Sequence, residues 1–308
     1  MRSAAAAVTE KLPEATRSRL ADYYALCKPR VVMLITFTAI VGMLLASPGM
    51  VAAGVLVWGS IGITLMAASA AALNQILDRQ VDARMARTCG RPLVTGHLGM
   101  LESGVFAAVI GALGFALLYV LINPLTAWLT LFTLVGYAGI YTLYLKRATP
   151  QNIVIGGAAG AAPPVLGWAA VTGTIDPHAL LLFLIVFVWT PPHFWALAIE
   201  RRDEYAQVDI PMLPVTHGIA YTRTQVLLYT ILLVAVTMLP FVTGMSGFIY
   251  LLAALVLGGI FLAYALRMKF APQPGLPMRT FGYSIVYLMA LFTALLVDHY
   301  VAVWHGVA

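Results

Sequence analysis

The sequence predicts an all-α polytopic membrane bundle, on three observations. Of its 308 residues, 61% are hydrophobic and only 10% charged, and mean hydropathy is +0.91. A soluble domain of this length needs far more polar surface. The apolar residues recur in stretches of about 20, the length a spanning helix needs, without the alternation of a lipid-facing β-barrel. All 18 Lys and Arg residues segregate to alternate connections.

Apolarity places nine spans, at 31–47, 52–76, 103–121, 125–145, 152–171, 179–199, 225–243, 248–266 and 281–302. Residues 1–24 read as a polar N-terminal arm, mobile or interfacial, and 25–308 as a single transmembrane domain. Ala4 to Val8 is too short for the apolar core of a cleavable signal, and Glu10, Glu14 and Asp22 argue against a transit peptide.

Arg2, Lys11, Arg17, Arg19, Lys28 and Arg30 precede the first span. Arg79, Arg84, Arg87 and Arg91 follow the second, and Lys146 and Arg147 the fourth. Arg201, Arg202 and Arg223 follow the sixth, and Arg267, Lys269 and Arg279 the eighth. The other connections carry none. The positive-inside rule then puts the N-terminus in the cytoplasm and the C-terminus outside, and the bacterial inner membrane is the expected location. A missed span would scramble this pattern. The net charge of +6 therefore reflects topology, and no nucleic-acid partner is implied.

Span 2 runs into the stretch NQILDRQVDARMARTCGRPL, residues 74–93. Asn74, Asp78 and Asp82 are spaced i, i+4, i+8, one stripe of a helix. Such oxygens suit Mg²⁺, which takes one or two carboxylates and completes its shell with water and substrate phosphates. Arg79, Arg84, Arg87 and Arg91 offer fork-shaped donors to those phosphates. A solvated helix end with i, i+4 ion pairs accounts for the same spacing.

Residues 191–218, PPHFWALAIERRDEYAQVDIPMLPVTHG, hold a second acidic group. Pro191 and Pro192 predict a kink or break in span 6, with His193 just beyond it. Glu200, Asp203, Glu204 and Asp209 follow in a loop or short helix that would help bind a second cation; a charged interfacial loop is the plain alternative. His193 would ligate a haem iron, shuttle a proton, or bond a carbonyl freed by the prolines. Spans 2 and 6 lie four apart, the pattern of a pseudo-repeat of spans 1–4 and 5–8.

Gly156, Gly160 and Gly167 permit close helix packing, and Pro163 and Pro164 bend span 5. Lys146 and Arg147 are further candidates for a diphosphate. Tyr137, Tyr141, Tyr144, Trp168, Trp189, Phe194 and Trp195 would line an isoprenoid cavity or pack against neighbours. Cys27 and Cys89 lack metal-ligand spacing and read as free thiols. No isolated charge lies mid-span, which argues against an ion-coupled transporter.

The Asn74-Asp78-Asp82 pattern resembles the first motif of the intramembrane UbiA-type prenyltransferase family, which includes the ubiquinone and menaquinone prenyltransferases. LCKPRVVMLITFTAIVGM, NQILDRQVDARMART, YTLYLKR, TPQNIVIGGAAGAAPPVLGWAAVTG, PPHFWALAI and IPMLPVTHG are similar to its haem-modifying branch, from Leu26 to about Gly218. The resemblance implies a nine-helix bundle around a central cavity open to the cytoplasmic side. It implies Mg²⁺-dependent transfer of a farnesyl group from farnesyl diphosphate to a vinyl group of haem B, giving haem O. Asn74, Asp78, Asp82 and Glu204 would be the catalytic set. The metal would meet Asn74, Asp78, Asp82 and some of Asp203, Glu204 and Asp209. Arg79, Arg87, Arg91, Lys146, Arg147, His193, Arg202 and Tyr205 would contact substrates. Many members carry Asp-x-x-x-Asp in the second loop, and this chain lacks that spacing. A haem A synthase or terminal oxidase would use the product, and membrane lipid surrounds the chain. Two other readings are a prenyltransferase for a quinone precursor and a non-catalytic haem carrier or oxidase-assembly protein.

Overall fold

The computed structural model describes residues 18–305, and every regular element among them is helical. The expected arm therefore falls largely outside the described residues. Of it, Arg19–Leu26 forms a short helix, α1, whose first turn is capped by Ser18 Oγ accepting from Ala21 N–H. A proline disfavours the right-handed helical region for the residue before it, and Lys28 takes a left-handed φ of 50°. The chain there bends 51° into α2, Pro29–Leu45. Gln75 Nε2 donates to the Ala25 and Leu26 carbonyls at 3.2 and 2.9 Å, satisfying the open end of α1.

Next come α3 (Ala53–Leu77), the single turns α4 (Arg79–Asp82) and α5 (Pro92–Thr95), and α6 (Met100–Leu121). Span 4 begins as α7, Pro124–Val135, widens into a π-helix over Gly136–Leu145, and closes with the turn α8, Lys146–Ala148. Pro163 and Pro164 lack N–H donors, so span 5 is interrupted at Ala162 between α9 (Asn152–Ala161) and α10 (Pro163–Thr172).

The sixth span, α11, corrects half of an expectation, the break at the proline pair. It is a continuous helix over Pro177–Glu200 with Pro191 and Pro192 inside it. Tertiary bonds beside the proline pair hold it: Trp189 Nε1–H donates to the Ser284 carbonyl at 2.8 Å, and His193 meets the Ser284 hydroxyl at 2.6 Å. The turns α12 (Arg202–Ala206) and α13 (Leu213–Thr216) lead to α14 (Gly218–Val236), the turn α15 (Leu239–Val242), α16 (Phe248–Phe270) and α17 (Leu276–Trp304). Among the described residues, eight helices are long and apolar enough to cross a membrane, or nine with the bent α1–α2 pair. The chain is a polytopic membrane protein, as its composition predicts.

Helices α14 and α17 start before the apolar stretches at 225 and 281, because hydroxyls satisfy themselves within a helix. Thr222 and Thr280 each donate to the carbonyl four residues back, at 2.9 Å. Asp298, near the C-terminal end of α17, is buried. Its carboxylate accepts from the backbone N–H groups of Gly247 and Tyr250 and so caps α16 from α17.

The tightest crossing is between α2 and α10. A Cβ on Gly42 would stand 2.1 Å from the Pro164 carbonyl oxygen, and one on Gly167 would stand 1.9 Å from that of Ala39. Neither carbonyl can move without opening its helix. Gly167→Ala is expected to cost about 1–3 kcal/mol, read as a lower thermal midpoint in detergent. Gly160→Ala, where a Cβ meets nothing within 4 Å, is expected to leave the midpoint unchanged.

Candidate active site

The polar stripe that leaves α3 is buried rather than solvated. Asp78 is 2% exposed, and Asn74 and Asp82 are buried with it. Asn74 Nδ2 donates to Asp78 Oδ2 at 3.0 Å and to Thr142 Oγ1 at 3.0 Å. Two lysines complete the group. Lys146 Nζ lies 2.6 Å from Asp78 Oδ2, and Lys28 Nζ donates to Asn74 Oδ1 at 2.5 Å. Asp82 takes a separate partner, Arg91. The solvated-helix alternative is thereby set aside for Asn74 and Asp78.

The π-helix has a local consequence here. Its wider register lets Thr142 Oγ1 donate to the Tyr137 carbonyl at 2.8 Å while accepting from Asn74, and it delivers Lys146 to Asp78. Tyr137 and Tyr141 stack at 5.6 Å beside this group. The Tyr141 ring lies where a Cβ on Gly156 would approach to 2.2 Å, so that glycine makes room for the ring.

Lys28 stands at the joint before α2, among Arg91, Lys146, Asp78 and Asp82. Burial lowers its pKa to about 7; the neighbouring cations Arg91 and Lys146 push the same way, and the two aspartates oppose them. The sequence reading treated Lys28 only as a topology charge. The legible signal was the Lys28-Pro29 step at a span boundary. Thr142, a lone hydroxyl in an apolar run, gave no signal.

The second acidic segment lies at the same end of the bundle. Met85 from the first loop is buried in one apolar cluster with Tyr205, Ile210, Met212 and Leu213 from the second, on Trp195 and Ile199 of α11. Arg87 is close enough to Tyr205 to offset part of the rise that burial imposes on the phenol's pKa. Glu204 pairs with Arg201 at 2.5 Å, while its Oε2 is buried without a hydrogen-bond partner.

The remaining candidates do not converge. Asp203 has an 89% exposed side chain 3.7 Å from Arg202. Asp209 is exposed at a left-handed φ of 55°. Arg79 Nε–H donates to the Leu93 carbonyl at 2.9 Å and Arg202 Nε–H to that of Pro214 at 3.2 Å, so both tie loops together. Arg147 is exposed next to Lys146. His193 is buried between α11 and α17 on Ser284.

Among the described residues, no three carboxylate, imidazole or thiolate groups gather as a metal-holding set. Asp78 and Asp82 on the first loop and Asp203, Glu204 and Asp209 on the second stand as separate groups, as two cation sites would have them. Asp78 Oδ1 nevertheless fits a cation: it is buried and lacks any hydrogen-bond partner. A buried carboxylate oxygen in that state has room for a hydrogen-bond donor or a cation. One or two carboxylates suffice for Mg²⁺ when phosphates supply the rest of its shell.

The buried Asn-Asp-Lys group beside two stacked tyrosines, in a helical membrane bundle, suits an anion that carries an apolar tail. A model of the UbiA prenyltransferase family matches residues 35–299, and the chain belongs to that family. It is 62% identical over 279 residues to a protoheme IX farnesyltransferase of Methylococcus capsulatus, covering 91% of this chain and 94% of that one. Among solved structures, it matches a digeranylgeranylglyceryl phosphate synthase at a TM-score of 0.76 and 18% identity, over 91% of this chain and 98% of the other. A UbiA homologue of Archaeoglobus fulgidus bound to GPP and Mg²⁺ matches at a TM-score of 0.60 and 18% identity, over 90% and 99% of the two chains.

Lys28 makes one prediction. Between its folded pKa of about 7 and the roughly 10.4 of an unfolded lysine, the unfolded chain binds one more proton. Stability from this group therefore rises with pH across that window and is absent below it. The thermal midpoint of the native chain, relative to Lys28→Met, is expected to climb from pH 7 to pH 9. A constant difference would show that Lys28 keeps its proton.

Proposed function

We propose that this chain transfers the farnesyl group of farnesyl diphosphate to a vinyl group of haem B, giving haem O. The observation that carries the reading is the buried Asn74–Asp78–Lys146 group in a chain 62% identical to a protoheme IX farnesyltransferase. A buried carboxylate flanked by lysines has the charges needed to receive a metal-bridged diphosphate.

Asn74 and Asp78 would hold the Mg²⁺, which would neutralise diphosphate charge and make the group a better leaving group. Lys146 and Lys28 donate to the phosphate oxygens, and Arg91, drawn in by Asp82, extends the same cationic surface. Glu204, with its unpaired Oε2, is the second-loop acid assigned to a further cation. Asp203 and Asp209 are assigned to the surface. Arg79 and Arg202 support the loops, and Arg87 and Tyr205 close the second loop over the first.

The farnesyl C–O bond breaks with its electron pair going to the diphosphate. Tyr137 and Tyr141 face the allylic cation in a central cavity that excludes water from its first capture. The vinyl π electrons of haem B then attack it. Water adds to the resulting cation, and loss of a proton leaves the hydroxyethylfarnesyl product. Both substrates are lipophilic, which accounts for an enzyme within lipid.

The segregation of basic residues supports a multi-pass protein of the bacterial inner membrane, with residues 25–308 as one domain, a cytoplasmic N-terminus and cavity mouth, and an external C-terminus. A haem A synthase or a terminal oxidase is the natural consumer of the product.

Purified protein incubated with haem B, farnesyl diphosphate and Mg²⁺ is expected to yield hydroxyethylfarnesyl haem by mass, and EDTA to abolish it. Prenylation of 4-hydroxybenzoate or a naphthoate instead would move the chain to the quinone branch. Asp78→Ala is expected to lower turnover by at least about 100-fold, the scale for losing one group that stabilises developing charge. A folded variant of undiminished turnover would refute the role given to Asp78.

A further inference from the structure

The carboxylate site leaves one buried titratable group unused, His193. Trp189 and His193, one helical turn apart on α11, both bond to Ser284 of α17. Trp189 Nε1–H donates to the Ser284 carbonyl at 2.8 Å, and His193 Nδ1 lies 2.6 Å from Ser284 Oγ. The serine hydroxyl has one proton, which it donates to the Phe281 carbonyl at 2.6 Å. In that arrangement it accepts from His193. That puts the imidazole proton on Nδ1 and leaves Nε2 with its lone pair.

The ring is fixed as well as its tautomer. Trp189 stacks on it at 4.2 Å and 19°, Phe281 at 4.5 Å and 24°, and Phe194 meets it edge-on at 5.5 Å. His193 is only 8% exposed. Yet Nε2 makes no hydrogen bond among the described residues and is not among the sealed, unpaired polar atoms. A neutral nitrogen base is thus left unpaired and oriented among aromatic rings.

Its position suits the acceptor. Thr190, three residues before His193, packs where a Cβ on Gly157 would come within 3.1 Å, and the adjacent Gly156 faces the Tyr141 ring. One turn of α9 therefore separates the tyrosines beside the carboxylates from the turn of α11 that bears the imidazole.

We propose that His193 Nε2 is the axial ligand for the iron of the haem acceptor, with Ser284 as its positioning residue; this rests on the haem farnesyltransferase reading above. A neutral imidazole whose Nδ1–H is hydrogen-bonded is the form that binds iron, and the second bond fixes its orientation and raises its basicity. Holding the macrocycle by its metal leaves the peripheral vinyl groups free to react.

The test uses the full chain in detergent with ferric haem B and no farnesyl diphosphate, read by visible absorption and electron paramagnetic resonance. The native chain is expected to show a nitrogen-ligated iron. His193→Ala is expected to lose that signature, and added imidazole to restore it. Ser284→Ala is expected to weaken haem binding by about tenfold, the lower end for losing a partner of a metal-bound histidine. A staple between two helices would change the unfolding temperature without touching the ligand field. Unchanged bound-haem spectra in both variants would therefore overturn the proposal, even with turnover reduced. If His193→Ala does not fold, nitrogen-15 labelling of histidine in the native chain decides: a shifted iron–nitrogen stretch supports ligation, and no shift overturns it. Farnesyl transfer by the native chain, measured alongside, separates the two levels. Transfer to haem without histidine ligation overturns this inference alone, whereas absence of transfer to haem overturns the parent reading.

Discussion

A carboxylate buried where a spanning helix leaves the apolar layer must be neutralised, and much of this fold is arranged to do that for Asp78. Its partners come from elsewhere in the chain. Lys146 arrives from the end of span 4 and bonds the carboxylate directly. Lys28 arrives from the bend before α2 and bonds Asn74, which bonds Asp78 in turn. Each delivery needs a departure from regular helix: the π-register of 136–145 for Lys146 and a left-handed residue for Lys28. The balance stays incomplete, since one Asp78 oxygen remains unpaired.

The loops follow from the same constraint. Irregular backbone near lipid has to be buried in protein or line a wet cavity. Here the first and second loops share one apolar cluster, with Met85 set among Tyr205, Ile210 and Met212. Several arginines are spent on closing the loops. Arg79 and Arg202 donate to backbone carbonyls, and Arg91 is held by Asp82. A basic cluster that reads as phosphate-binding in sequence is thus partly scaffold.

The spans were legible because lipid imposes a length and an apolarity on each helix, and the basic residues kept their order. The Asn74–Asp78 face was legible because i, i+4 spacing survives to the end of α3. What was not legible depends on contacts distant in sequence. Nothing around Pro191 and Pro192 announces that Ser284, about ninety residues on, would help hold α11 continuous. Nothing local to 136–145 marks a π-helix, whose register is fixed by Tyr141 on Gly156 and Thr142 on Asn74. The second acidic cluster was over-read: four acids in one loop suggested convergence, but Asp203 and Asp209 turn to the surface.

The widened stretch of span 4 also works as a screw thread with a changed pitch. Everything after it is phased by how many residues it contains, because each residue in an ordinary helix turns the chain by about 100°. Removing one residue between Val135 and Lys146 would leave the span hydrophobic and long enough to cross, yet would swing Lys146 off the face that meets Asp78. Span 4 is therefore under a counting constraint that its neighbours escape. Substitutions of one apolar residue for another are tolerable there, while a single insertion or deletion is not.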